Sequence, residues 1–182
     1  MENYIIIYIH GLNGTKNGSK VTSLRNKYGN DNEVICLEWD QKDDIHQVIK
    51  QQVEKLDRTK KVILLGSSSG GKILFPTLEI MKELNFKYEP ACILLNPLNK
   101  LKYVIEQVNN SIYNSFLLSD DLDFKSLQKA TIIYSLEDEV IDQENSIQEY
   151  HTLNTYKKVQ DHHGLHNSMD IIFESIEDFI KN

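Results

Sequence analysis

Short runs of Ile, Val and Leu recur along the whole chain, and a longer amphipathic segment usually follows each. The runs are Tyr4–Ile9, Glu33–Leu37, Lys61–Leu65, Ala91–Leu95, Thr131–Tyr134 and Thr155–Val159. Several are continuously apolar rather than alternating, which is expected of strands covered on both faces of a parallel sheet. Between them Ile45, Val48, Ile49, Val53 and Leu56 share one helical face, as do Met169, Ile172, Phe173, Ile176, Phe179 and Ile180. The segment 70–84 has helical period as well, and Pro76 within it should kink the helix or cost it a hydrogen bond. This alternation predicts an α/β fold, with helices on both faces of a mostly parallel six-stranded sheet.

The chain's 182 residues are 40% hydrophobic and 26% charged, enough apolar material for a core and a length suited to one domain over 1–182. Segment 98–129 is longer than a crossover requires, and an insertion forming a small cap or an ordinary surface excursion both fit it. The net charge of −7 argues against nucleic acid as a partner, because phosphates call for a basic face. No stretch approaches a membrane span, and the start Met1-Glu2-Asn3 lacks the basic segment of a signal peptide, so a cytoplasmic protein is expected. Cys36 and Cys92 fall within strands and have no CxxC spacing, which reads as two buried thiols.

Chemistry enters after the third strand, at Gly66-Ser67-Ser68-Ser69-Gly70. This is G-x-S-x-G between a buried strand and a helix, the setting of a nucleophile elbow. The turn is so tight that side chains two residues either side of Ser68 would strike neighbouring backbone. Ser68 would then stand exposed at a helix N-terminus, with the amide of Ser69 facing developing negative charge. The bare pattern arises by chance in about one chain in twenty of this size, so further parts are needed. A phosphate loop is the structural competitor, with Lys72 the nearby cation, but neither GxxxxGK[ST] nor GxGxxG is present.

The further parts lie past the ends of other strands. Ser135 to Asp142 contains Glu137, Asp138, Glu139 and Asp142, and Gln160 to His166 contains His162, His163 and His166. The chain order is therefore serine, acid, histidine, each beyond the C-terminal end of a strand, where open α/β sheets place ligands. After the first strand, His10-Gly11-Leu12-Asn13-Gly14 supplies a glycine-bearing loop able to aim the amide of Leu12 at an oxyanion. His10 reads as a loop-shaping residue rather than a base. His10, Gly11 and Trp39 are candidates for the pocket wall, with a packing or surface role open for Trp39.

These motifs resemble the α/β-hydrolase superfamily, in particular small bacterial serine esterases long labelled uncharacterised. The likeness rests on His10–Asn13, Gly66–Gly71, Asn96-Pro97 and Asp138–Val140. Retinoblastoma-binding-protein-9-like serine hydrolases are similar in size and carry a comparable elbow. The resemblance implies a minimal three-layer α/β/α sandwich with strand order 2-1-3-4-5-6. It implies Ser68 as nucleophile, Asp138 as acid, a histidine of the 162–166 loop as base, and the amides of Leu12 and Ser69 as oxyanion donors. The family loop runs Gly-x-His into the last helix, which favours His166 over His163 and His162. In that strand order Cys36 and Cys92 stand three spacings apart, about 14 Å, beyond disulfide reach.

The expected activity is hydrolysis of small acyl esters or thioesters through an acyl-enzyme, with no cofactor and no metal. One rival is a metal site built from Asp161, His162, His163 and His166. Another is a non-catalytic binding module on the same scaffold.

Overall fold

A computed structural model describes residues 4–40, 42–105 and 122–181. Six strands, β1 (Tyr4–Ile9), β2 (Glu33–Leu37), β3 (Lys61–Ser67), β4 (Ala91–Leu95), β5 (Ala130–Ser135) and β6 (Thr155–Val159), form one sheet in the order β2-β1-β3-β4-β5-β6. Every pairing is parallel, with Ile7 opposite Ile35 on one side and Leu64 on the other. Parallel neighbours require crossovers, which here are helical between most strands. The main helices are α1 (Ser19–Tyr28), α2 (Ile45–Val53), α3 (Gly70–Glu83) and α5 (Met169–Lys181), with a single turn α4 (Gln143–Ser146).

Successive strand residues point to opposite faces, so each run feeds two cores. Ile5, Ile7, Ile9, Val62, Leu64, Leu94 and Ile132 meet Ile45, Ile49 and Val53 of α2 and Ile73, Leu74 and Ile80 of α3. Ile6, Tyr8, Ile63, Leu65, Ile93 and Ile133 meet Val21, Leu24 and Tyr28 of α1 and Ile172 and Ile176 of α5. This is the three-layer α/β/α sandwich and the strand order that the resemblance implies. Each fully buried Ile or Leu contributes about 1.5–3 kcal/mol of hydrophobic stabilisation.

α3 runs from Gly70 to Glu83 through Pro76, which has no N–H to donate back along the helix and so costs it the expected hydrogen bond. At the start of segment 98–129 the chain makes a 3₁₀ turn at Leu101–Tyr103, after which Val104 forms an antiparallel bridge with Ile141. The middle of the proposed cap segment, 106–121, lies outside the described residues.

Candidate active site

Ser68 sits between β3 and α3 with φ of +54°, a left-handed conformation that non-glycine residues seldom adopt. The neighbouring backbone holds it there. Its amide donates to the Leu95 carbonyl (2.9 Å), and its carbonyl accepts from Gly71 (2.9 Å) and Leu98 (3.1 Å). A Cβ at Gly66 would lie 2.8 Å from the Gly70 carbonyl oxygen, and one at Gly70 would fall on the carbonyl oxygen of Ile9. These close approaches are the steric reason the elbow carries glycine at both places.

Past β5, the Asp138 carboxylate is almost fully buried, its side chain 1% exposed. One oxygen accepts from the amides of Val140 and Ile141 (both 2.9 Å), and the other from Gln143 Nε2 (3.0 Å). The same carboxylate takes His163 Nδ1 at 2.9 Å to each oxygen. An ionised carboxylate only accepts, so Nδ1 carries the proton and Nε2 is left as the ring's acceptor. His163 and Ser68 line one cleft of about 370 Å³, together with Gly11 and Leu12.

The histidine expected from the loop pattern is elsewhere. His166 is exposed, with Nδ1 3.3 Å from Ser19 Oγ. The cause is Leu165, whose side chain is fully buried beneath α5 and whose φ is +48°. That residue reverses the chain after the Leu165 amide bonds the His162 carbonyl (2.9 Å), turning position 166 toward α1. His162 is exposed at the surface, 3.6 Å from Glu139. The carboxyl of Glu139 is held below its ordinary range, chiefly by the His163 amide (3.0 Å).

Asp161, the fourth member of the metal reading, faces the start of α5. It accepts from the amides of His162 and Asn167 (both 2.8 Å), Asn167 Nδ2 (3.2 Å) and Ser168 Oγ (2.9 Å). Burial pushes its carboxyl up, but these donors outweigh burial and hold it below the usual value. Among the described residues no three His, Cys, Asp or Glu side chains gather as a metal site.

Of the oxyanion pair, the amide of Ser69 has no hydrogen-bond acceptor among the described residues. The amide of Leu12 is occupied, donating to Ser69 Oγ at 2.8 Å. His10 and Gly11 line the cleft. The imidazole of His10 stacks on Trp39 at 5.3 Å and 9°, and burial holds its pKa below the ordinary histidine value. Trp39 lies behind that ring, donating Nε1–H to the His10 carbonyl (3.0 Å), and borders a separate small recess. Lys72 is fully buried on α3 and does not line the cleft.

Sequence reasoning gave no role to Asn96, whose φ is +40°. Its Nδ2 donates to the carbonyls of His163 (3.0 Å) and His162 (3.4 Å), and its Oδ1 accepts from Ser135 (2.8 Å). It thus ties the histidine loop to the start of the acid loop. The available signal was the Asn-Pro pair after β4.

Residues 5–181 match the model of an uncharacterised protein family, UPF0227. No curated protein matches the chain. Among solved structures, Est1E from Butyrivibrio proteoclasticus, determined with ferulic acid bound, superposes with a TM-score of 0.69 at 15% identity, covering 98% of this chain and 88% of that one. Human thioesterase 2 gives 0.61 at 15%, covering 97% and 94%. An α/β hydrolase superfamily protein from Enterococcus faecalis gives 0.64 at 15%, covering 98% and 90%. At such identities the likeness is one of fold, and that fold is the α/β-hydrolase fold.

Proposed function

Because the chain belongs to the uncharacterised family UPF0227, whose description assigns no reaction, we propose its function from its own site: hydrolysis of small carboxylic esters or thioesters through a serine acyl-enzyme. The carrying observation is the bidentate Asp138–His163 contact, on the cleft that Ser68 also lines. A buried carboxylate fixing one tautomer of a histidine that shares a cleft with a strained serine is an arrangement suited to acyl transfer. The esterase and thioesterase among the structural neighbours support the same reading.

In this mechanism His163 Nε2 takes the Ser68 proton as Oγ attacks the acyl carbonyl. The negative oxygen receives the Ser69 amide and the Leu12 amide, which Ser69 Oγ must release. His163 then protonates the leaving alcohol or thiol, and water repeats the sequence on the acyl-enzyme. The short segment 98–129 leaves little chain for a lid, which favours small acyl groups.

A fluorophosphonate should label Ser68, and Ser68→Ala should abolish labelling and lower kcat on p-nitrophenyl acetate by about 10⁶. Retained activity in that variant, or folded wild-type protein that resists labelling, would overturn the assignment. The second outcome is the one a binding module would give.

A further inference from the structure

One part of the cleft wall comes from the first turn of α1, through Ser19 and Lys20. Among the described residues no Asp or Glu lines the cleft, and Lys20 is the one lysine or arginine there. That is unexpected in a chain of net charge −7. Asp138 stands behind His163, with both oxygens already engaged.

Elsewhere lysines meet carboxylates directly, as in Lys16–Glu38 (3.1 Å), Lys100–Glu149 (3.2 Å) and Lys157–Glu174 (3.6 Å). Lys20 is partly buried and has no such ion pair among the described residues. Burial lowers its pKa, and the charge of Asp161 opposes that shift without making contact. The Asp161 oxygens are themselves occupied by His162, Asn167 and Ser168. A partly desolvated ammonium with no carboxylate at contact distance is costly, and an anion entering the cleft would relieve the cost. Packing alone would be served better by Leu or Met.

We propose that Lys20 is a specificity-determining residue and that the substrate cleaved at Ser68 carries an anionic group, a carboxylate or a phosphate, which Lys20 receives. The inference rests on the hydrolase reading and narrows it from small acyl esters or thioesters to acidic ones.

Two substrate pairs test it and separate the two anions. Mono-p-nitrophenyl glutarate against p-nitrophenyl hexanoate places a carboxylate on the acyl part. S-acetyl-4′-phosphopantetheine against S-acetylpantetheine places a phosphate on the leaving part. Wild-type kcat/KM should favour the charged member of at least one pair by about tenfold. Lys20→Met should bring that ratio close to one, and Lys20→Arg should keep most of it, with melting temperatures confirming that both variants fold.

A wild-type ratio near one in both pairs, or an undiminished ratio in Lys20→Met, overturns the inference and leaves the hydrolase reading intact. If Ser68 is labelled but none of the four compounds is cleaved, glutarate and phosphopantetheine should slow labelling in wild type more than in Lys20→Met. Equal slowing overturns the inference. Absence of both labelling and turnover in wild type removes the hydrolase reading and the inference with it.

Discussion

Leu165 passes through a left-handed conformation, φ +48°, and that single backbone angle decides which of three histidines meets Asp138. The spacing Gly164-Leu165-His166 fits the family loop. Spacing alone, however, does not tell which side of the chain faces the acid. With Leu165 anchored in the core, His163 turns inward and His166 turns toward Ser19. Replacing His163 by Ala should lower kcat about 10⁴-fold or more with the fold intact, whereas His166→Ala should stay within a few-fold of wild type. Steady-state kinetics on one ester with the two variants separate them; the reverse ranking would restore His166. Occupation of the Leu12 amide was equally illegible, because it depends on how the Ser69 side chain packs against the neighbouring loop.

Strands β1, β2, β4 and β6 have the bounds expected from their sequences, and β3 and β5 extend those expectations by one or two residues. Runs of Ile, Val and Leu covered on both faces leave a pattern that requires no knowledge of neighbours. Helix α1 left almost none. Only Val21, Leu24 and Tyr28 are buried in it, Gly18 caps it without a side chain, and Val, Thr and Ser dilute its propensity. Lys20 stands on this helix and so escaped notice. The start of α5 depends instead on Asp161, a residue with four donors and a carboxyl held below its ordinary value. A depressed folded pKa contributes stability above the unfolded value, and that stability is lost as pH falls through the folded one. Asp161→Asn should therefore cost about 2 kcal/mol at pH 7, with the gap from wild type closing below about pH 4. Urea midpoints across pH measure this, and a constant gap would refute it.

Cys36 lies on β2 and Cys92 on β4, separated by β1 and β3 in the sheet, so both thiols are free. Burial pushes Cys36 up to about 11 and Cys92 up to about 12, leaving both protonated at neutral pH. The thiolate is the reactive form. A thiol reagent such as dithionitrobenzoate at pH 8 should accordingly react slowly with the folded protein and at once with both cysteines in 6 M guanidinium. Fast reaction in the native state would mean that the sheet opens locally. The two cysteines thereby report on the integrity of the whole sheet.

The three residues assigned to acyl transfer stand at 68, 138 and 163, on loops that follow β3, β5 and β6. Two of those loops are joined by Asn96, from a fourth. A ribosome delivers these loops in order, and the last of them only after β6. No nascent fragment ending before His163 can hold the constellation, however well its early strands have paired. On the proposed assignment Ser68 has no base until β6 pairs with β5 at the edge of the sheet.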